Sequence, residues 1–382
     1  MKRQSICGKE ARAPAFLYAG ALLGLIVFLF VGRSGLEAAP AEKKPKKLLY
    51  IEAGCVWTGT GDQFRPGGIL LENGRIIHVG KPLSVSKDVE RIVVSGGFAM
   101  PAFLDAHSYL GVRKEEDRNE SLRSIYPDFH VADALEGVVL SGRALYEEGY
   151  AALYVSPGDR SVVGGWGAVV DLIRRRVDEG VPALSVTQAA LKDDRPPTSP
   201  LGVAELLERK AREALKGAKL LRIFASTPGE TELALNFAAS QGAAPVLVGC
   251  LCPDLLPQFS APKETIVVPP FTVEVAKLKR IAQAARSGVS FAFGSFAEDQ
   301  WHINNRFMAS LAVAYGMPRE AALRALTINA ARASGLPSCA LKVGVRPVIA
   351  VFRGDVLNLS SPLACLVAGG RVLYRTEGGP KR

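Results

Sequence analysis

The sequence has few of the residues that usually build metal and disulfide sites. Its 382 residues include only four histidines and six cysteines. Cys7 precedes a long apolar run, and the other five cysteines are irregularly spaced, which excludes a disulfide framework. Cys250 and Cys252 are two positions apart, but no second pair of cysteines or histidines lies near them in the sequence. We therefore predict no metal site at these two thiols.

Acidic side chains are scarce at the N-terminus, and this scarcity decides how the net charge of +10 is interpreted. Residues 1–47 hold nine basic and three acidic side chains, so they carry +6 of that charge. A DNA-binding protein would concentrate lysine and arginine on a folded surface instead. We therefore predict no nucleic-acid partner. Hydrophobic residues make up 48% of the chain, which excludes a disordered or fibrous protein.

No charged residue occurs in residues 15–32 (AFLYAGALLGLIVFLFVG), and this run is just long enough to cross a bilayer. We predict that residues 1–34 form a membrane anchor with one N-terminal hydrophobic helix. The alternative is a cleaved signal segment, although the nearest cleavage sites, around Ala38, are weak. Residues 35–47 then form a linker. We expect a membrane-anchored or exported protein whose main body lies outside the cytoplasm.

The rest of the chain changes its pattern twice. Residues 48–100 consist mostly of short strand-like runs, and Asn73-Gly74 between two of them is typical of a hairpin turn. Over residues 101–340, apolar strands alternate with amphipathic helices, which favours a parallel sheet in a (β/α)8 TIM-type barrel. Residues 341–382 return to strands. The predicted fold class is therefore α/β, with a composite β-sandwich domain built from both ends of the main body.

One stretch carries a family resemblance. Residues 97–111 (GFAMPAFLDAHSYLG) resemble the first barrel strand of the metal-dependent amidohydrolase superfamily, in its imidazolonepropionase-like branch. The family pattern there is Pro-Gly-Phe-Ile-Asp-x-His-x-His, and both histidines bind a divalent metal. Further segments that are similar to the family occur in the same order along the chain, and together they cover roughly residues 48–375: residues 70–80, 126–135, 321–336 and 365–374.

The resemblance implies a metal-dependent hydrolysis of non-peptide carbon–nitrogen bonds. The family site uses two histidines on strand 1, a lysine or glutamate on strand 4, a histidine on each of strands 5 and 6, and an aspartate on strand 8. A catalytic zinc takes about three protein ligands and keeps one position for water. The metal lowers the pKa of that water and so makes hydroxide available.

This chain departs from the family pattern at most ligand positions. His107 matches the first histidine of strand 1, but Tyr109, Phe224, Gly249 and Phe296 stand where other ligands belong. The strand-4 segment also contains no lysine or glutamate. We therefore predict no resident cofactor and a catalytically degenerate protein. It would act as a small-molecule-binding protein or as a structural partner, either in a homo-oligomer or paired with an active amidohydrolase.

A rebuilt site is the alternative. Glu298, Asp299 and His302 follow the last barrel strand, at the end where such barrels build their active sites. With His107 they would form an active hydrolase site that holds zinc or another divalent metal. The competing interpretation is that the two acids begin a helix, where acidic residues are favoured, and that His302 lies on its surface.

Overall fold

The computed structural model describes residues 47–112, 114–120, 122–137, 143–250, 265–270 and 274–376. The predicted N-terminal helix over residues 15–32 lies outside this part of the chain. Among the residues that are described, no helix is both long enough and apolar enough to span a bilayer.

The described chain forms two eight-stranded sheets, whose strands are numbered here along the chain. The strands that precede the barrel are β1 (Leu48–Trp57), β2 (Gln63–Phe64), β3 (Gly67–Glu72), β4 (Arg75–Gly80) and β5 (Glu90–Pro101). The barrel strands are β6 (Phe103–Ser108), β7 (Tyr150–Val155), β8 (Val163–Asp171), β9 (Arg176–Ser185), β10 (Leu220–Phe224), β11 (Ala244–Val248), β12 (Thr265–Val268) and β13 (Ser290–Phe293). The last strands are β14 (Val348–Phe352), β15 (Leu363–Ala368) and β16 (Arg371–Arg375).

The first sheet joins the two ends of the described chain. Its order is β16-β15-β14-β5-β1-β3-β4, with β2 paired to β1. Strand β14 is antiparallel to β5, with Ile349 opposite Pro101, so the predicted composite arrangement is present. The strands form one continuous sheet rather than the two separate sheets that a sandwich implies. One apolar cluster contains both Ile76 from β4 and Ala364 from β15, so the sheet bends around its own core.

Two glycine turns meet where the sheet bends. The Asn73-Gly74 turn joins β3 to β4 as predicted, and both residues have positive φ, at 50° and 80°. Gly369 and Gly370 form the turn between β15 and β16, also with positive φ. A Cβ atom on Gly74 would lie 2.5 Å from the carbonyl carbon of Gly369. Only a residue without a side chain fits at position 74.

The second sheet is a nearly closed barrel in which β6 to β13 are neighbours in sequence order. The amide of Phe296, just after β13, donates to the carbonyl oxygen of His107 at 2.9 Å. The amide of Tyr109 donates to the carbonyl oxygen of Ala297 at 2.9 Å. These two hydrogen bonds bring the carboxyl end of the last barrel strand to the carboxyl end of the first.

The prediction of a fully parallel barrel is wrong at one strand. Strand β8 runs antiparallel to both β7 and β9. Residues 156–162 join β7 to β8, and residues 172–175 join β8 to β9. A parallel connection needs a crossover of a dozen or more residues, so these short links force a hairpin. No helix covers this part of the barrel between β7 and β9 in the described chain.

Helices occupy most of the other connections. They are α1 (Arg143–Glu147), α2 (Pro200–Leu206), α3 (Arg212–Ala214), α4 (Pro228–Gln241), α5 (Val275–Arg286), α6 (Asn305–Ala314), α7 (Arg319–Leu326) and α8 (Ile328–Ala333). Helix α4 begins at a capping box, in which Thr227 and Glu230 each accept a hydrogen bond from the other's backbone amide. Helix α8 packs against the inner residues of the barrel through Ala330 and Ala333.

Candidate functional site

His107 lies at the carboxyl end of β6 and is completely buried. Every residue of this strand (FLDAHS) is buried, including the polar residues Asp105, His107 and Ser108. The position matches the expectation for a first-strand ligand. Its surroundings are unlike those of a metal ligand, since aromatic rings and a guanidinium group enclose the imidazole.

Three aromatic side chains contact the His107 ring. Phe296 stacks on it with the ring centroids 3.9 Å apart and the planes 14° apart. Tyr109 and Phe224 meet it edge-on, at centroid distances of 5.0 and 5.6 Å. Tyr109, Phe224 and Phe296 therefore meet at His107. They are three of the four residues that stand where the family has metal ligands. At the fourth position, Gly249 has φ of 76°, and a Cβ atom there would have no heavy atom within 4 Å.

Arg222, on β10, is, like Arg118 and Tyr154, a site residue that the sequence analysis missed. Its Nη2 donates to His107 Nδ1 at 3.1 Å and to the Ala106 carbonyl oxygen at 2.8 Å. Its Nη1 donates to the Ala333 carbonyl oxygen at 2.9 Å. The guanidinium carbon lies 3.9 Å from the centroid of the Tyr154 ring. Burial lowers the pKa of Arg222 and raises the pKa of Tyr154 to about 12.

The contact with Arg222 determines the proton positions on His107. A guanidinium group only donates hydrogen bonds, so Nδ1 must present its lone pair. The neutral ring therefore carries its proton on Nε2, which is buried and has no hydrogen-bond partner among the described residues. Burial lowers the pKa of His107 well below its usual value, and the charges of Arg222 and Arg118 lower it further. The imidazole is neutral at physiological pH.

Asp105 forms a separate buried network two residues before His107. Its carboxylate accepts hydrogen bonds from the backbone amides of His107 and Ser295, at 3.3 and 2.9 Å. The Ser295 hydroxyl and the Asn305 side-chain amide also donate to it, the latter at 3.0 Å. Burial raises the pKa of Asp105 to about 6, although these four donors act in the opposite direction. The network holds the end of β13 against β6.

Glu298 reaches the site only through Arg118. The Arg118 Nη1 atom donates to Glu298 Oε1 at 2.9 Å, and the Glu298 side chain is 59% exposed. The Arg118 guanidinium carbon lies 3.8 Å from the centroid of the Tyr109 ring. Burial raises the pKa of Tyr109, with a smaller contribution from the charge of Asp159, so its phenol stays protonated. Glu298 therefore pairs from the solvent side with the largely buried Arg118.

The structure does not bring Asp299 and His302 to His107. Asp299 accepts hydrogen bonds from the amides of Trp301 and His302 and so caps a short 3-10 helix, residues Gln300–His302. Its carboxylate contacts His302 Nδ1 at 2.8 Å, and the two side chains are 50% and 77% exposed. This geometry matches the helix-start interpretation. In the described part of the chain, no group of three or more His, Cys, Asp or Glu side chains could hold a metal ion.

Comparisons with known proteins find similarity in structure but not in sequence. No protein-family model matches the chain, and no curated protein matches it. An amidohydrolase from Thermotoga maritima MSB8 superposes with a TM-score of 0.70 at 20% identity, over 86% of this chain and 100% of that one. A. niger ochratoxinase gives 0.52 at 16% identity, over 87% and 96%. Molinate hydrolase gives 0.51 at 13% identity, over 88% and 98%. The chain has the amidohydrolase fold, as the resemblance predicted.

Proposed function

We propose that this chain is a catalytically degenerate amidohydrolase that binds a small molecule in its barrel. The observation that carries the proposal is the hydrogen bond from Arg222 to His107 Nδ1, at 3.1 Å. A fixed cation now occupies one edge of the single imidazole that matches the family's metal ligands. Hydrolysis of non-peptide carbon–nitrogen bonds by the family route would require a metal beside that same ring.

His107 does not fit the role of a metal ligand. A ligating histidine offers one nitrogen to the metal and donates the other N–H to an acceptor of the protein. Here Nδ1 accepts from Arg222, so Nε2 carries the proton and has no lone pair to offer. A divalent ion at Nε2 would have to displace that proton and would also be repelled by the nearby guanidinium.

The other family positions do not restore a ligand set. Phe224 and Phe296 supply phenyl rings, and Gly249 supplies only a hydrogen atom. Tyr109 has an oxygen, but burial raises the pKa of its phenol and so disfavours the phenolate that a metal would need. Zinc is held by about three protein ligands. The residues of this site therefore do not fit a catalytic zinc, and we derive no hydrolytic step.

Metal binding to the purified full chain tests the proposal. We expect calorimetric titration with zinc, and elemental analysis after dialysis, to find far less than one equivalent. His107→Ala is the matched variant and should give the same result as the original chain. Near-stoichiometric zinc that is lost in His107→Ala would overturn the proposal. It would support the alternative of an active hydrolase with a non-standard site around His107, Glu298, Asp299 and His302.

The location and the partners belong to the same proposal. We propose that residues 15–32 tether the body to a membrane, and that the body either forms a homo-oligomer or pairs with an active amidohydrolase. Extraction of the expressed full chain at alkaline pH tests the tether, because a spanning helix resists extraction and a peripheral contact does not. Removal of residues 1–34 is the control. Light scattering of the detergent-solubilised chain gives its oligomeric state.

A further inference from the structure

Within the described residues, Arg222 is a buried cation that no acidic side chain contacts. Its side chain is completely buried, and it makes no ion pair within the described chain. Its contacts are two carbonyl oxygens, one neutral imidazole and the Tyr154 ring. The charge of the buried Asp105 acts on Arg222, but its carboxylate is already engaged by four other donors. Burying an unpaired charge costs several kcal/mol, so this arrangement favours a bound anion.

Two buried donors point to the same class of ligand. His107 Nε2, which carries the proton, has no acceptor, and Arg222 Nε has none either in the described residues. An unsatisfied buried donor costs about 1–3 kcal/mol. Carbonyl oxygens already satisfy the other guanidinium nitrogens. What the pair lacks is therefore an acceptor with negative charge.

Phe296 separates His107 from the solvent. One face of its ring stacks on the imidazole, while the residue as a whole is only partly buried. Its backbone has φ of 53°, in the left-handed region that bulky residues rarely adopt. Strained residues of this kind persist only where their surroundings hold them, and they are concentrated at ligand clamps and switch regions. Movement of this ring would open the imidazole toward the barrel mouth.

We propose that His107 and Arg222 form a binding site for a small aromatic or apolar carboxylate, and that Phe296 gates this site. The carboxylate accepts from His107 Nε2 and offsets the charge of Arg222. The body of the ligand packs between Tyr109 and Phe224, which border the imidazole edge-on. This inference rests on the proposed function, because a metal at His107 would exclude the same ligand atoms.

Binding of three ligands with the same ring tests the site: benzoate, its neutral amide benzamide, and the cation benzylamine. The full chain is labelled with ¹⁵N-histidine, and its four histidines keep the spectrum simple. We expect His107 to show the Nε2-protonated neutral form and its Nε2 resonance to move with benzoate. Benzoate should bind Phe296→Gly about tenfold more tightly than the original chain, since no closed conformation competes. Benzylamine should bind neither protein.

Arg222→Met separates charge recognition from simple filling of space. We expect it to weaken benzoate binding about tenfold or more, while benzamide binding changes little. Should Arg222→Met fail to fold, Arg222→Gln replaces it, because glutamine also removes the charge, and the same preferential loss of benzoate binding is expected. Equal binding of all three ligands to Phe296→Gly, or an unmoved His107 resonance, overturns the inference. Zinc binding at His107 would instead defeat the proposed function.

Discussion

Asp105 and His107 are two residues apart on β6 and equally buried, yet their surroundings differ. Four donors engage the Asp105 carboxylate, from β6, the end of β13 and α6. Among the described residues, the His107 ring accepts one hydrogen bond, from the guanidinium group of Arg222, and otherwise contacts aromatic rings. The first network joins β6 to the end of β13 and to α6 through hydrogen bonds between protein groups. The second surrounds His107 with groups that do little to hold these elements together.

The largest effect should come from Asp105→Ala. It leaves the Ser295 amide and hydroxyl and the Asn305 amide buried without an acceptor. We expect the free energy of unfolding to fall by about 3–5 kcal/mol, as for other broken buried networks. Chemical denaturation measures it. Asp105→Asn keeps one acceptor oxygen and should lose less. A loss below about 1 kcal/mol for Asp105→Ala would show that the hydrogen bonds of Asp105 contribute little to stability. The contrast drawn above between Asp105 and His107 would then fail.

The pH dependence of stability should report the same carboxyl group. Its pKa rises from 3.8 in the unfolded chain to about 6 in the folded protein. The folded state therefore binds the proton more tightly, so this contribution is complete below pH 4 and is lost as pH rises through 6. The stability difference between the original chain and Asp105→Asn should change by up to about 3 kcal/mol across that window. A flat difference would show that Asp105 titrates normally.

A smaller effect is expected at Phe296. The pair Phe296→Gly and Phe296→Ala removes the ring in both variants, so the loss of stacking on His107 cancels between them. Only glycine adopts the positive φ of this position without steric cost. Phe296→Gly should therefore be more stable than Phe296→Ala by about 1 kcal/mol in denaturation experiments. Equal stability would mean that the backbone at this position is unstrained.

The smallest effect is expected at the surface pair of Asp299 and His302. Both side chains are largely exposed, and exposed ion pairs contribute little. Asp299→Asn and His302→Gln should each leave the thermal denaturation midpoint unchanged within error, in low and in high salt. A clear loss of stability in either variant would mean that this pair contributes more than its exposed geometry indicates.

Structural features that depend on a few neighbouring residues, such as turns and single strands, could be predicted from the sequence. The Asn73-Gly74 turn follows from the positive φ that its two residues tolerate, and the structure contains it. The strand that carries His107 was predicted from one short motif. The joining of both ends of the main body was also predicted, although as a sandwich and not as the single continuous sheet that the structure contains. Turn chemistry and strand motifs depend on few neighbours.

The direction of β8 could not be predicted in the same way. Its apolar run, Val163–Asp171, is compatible with either strand direction, because alternation along a strand does not encode orientation. The direction follows from the short links on both sides of it. The lengths of these links can be determined only when the ends of the strands are known to within one or two residues.

Arg222 was missed for a physical reason too. It is one charged residue in the apolar strand Leu220–Phe224, two positions before Phe224 and so on the same face. That alternation could have indicated an inward-facing cation. Its partner His107 is 115 positions away in the chain, and only the closed barrel brings them together. The role of Arg222 is therefore a property of the tertiary structure.

The pairing of β5 with β14 has a consequence for synthesis. One edge of β5, which ends at Pro101, is covered by β14, a strand that begins only at Val348. Until the ribosome has made that strand, the edge presents unpaired amides and carbonyls to any passing polypeptide. A truncation that removes the last three strands should therefore yield aggregates rather than a smaller soluble protein.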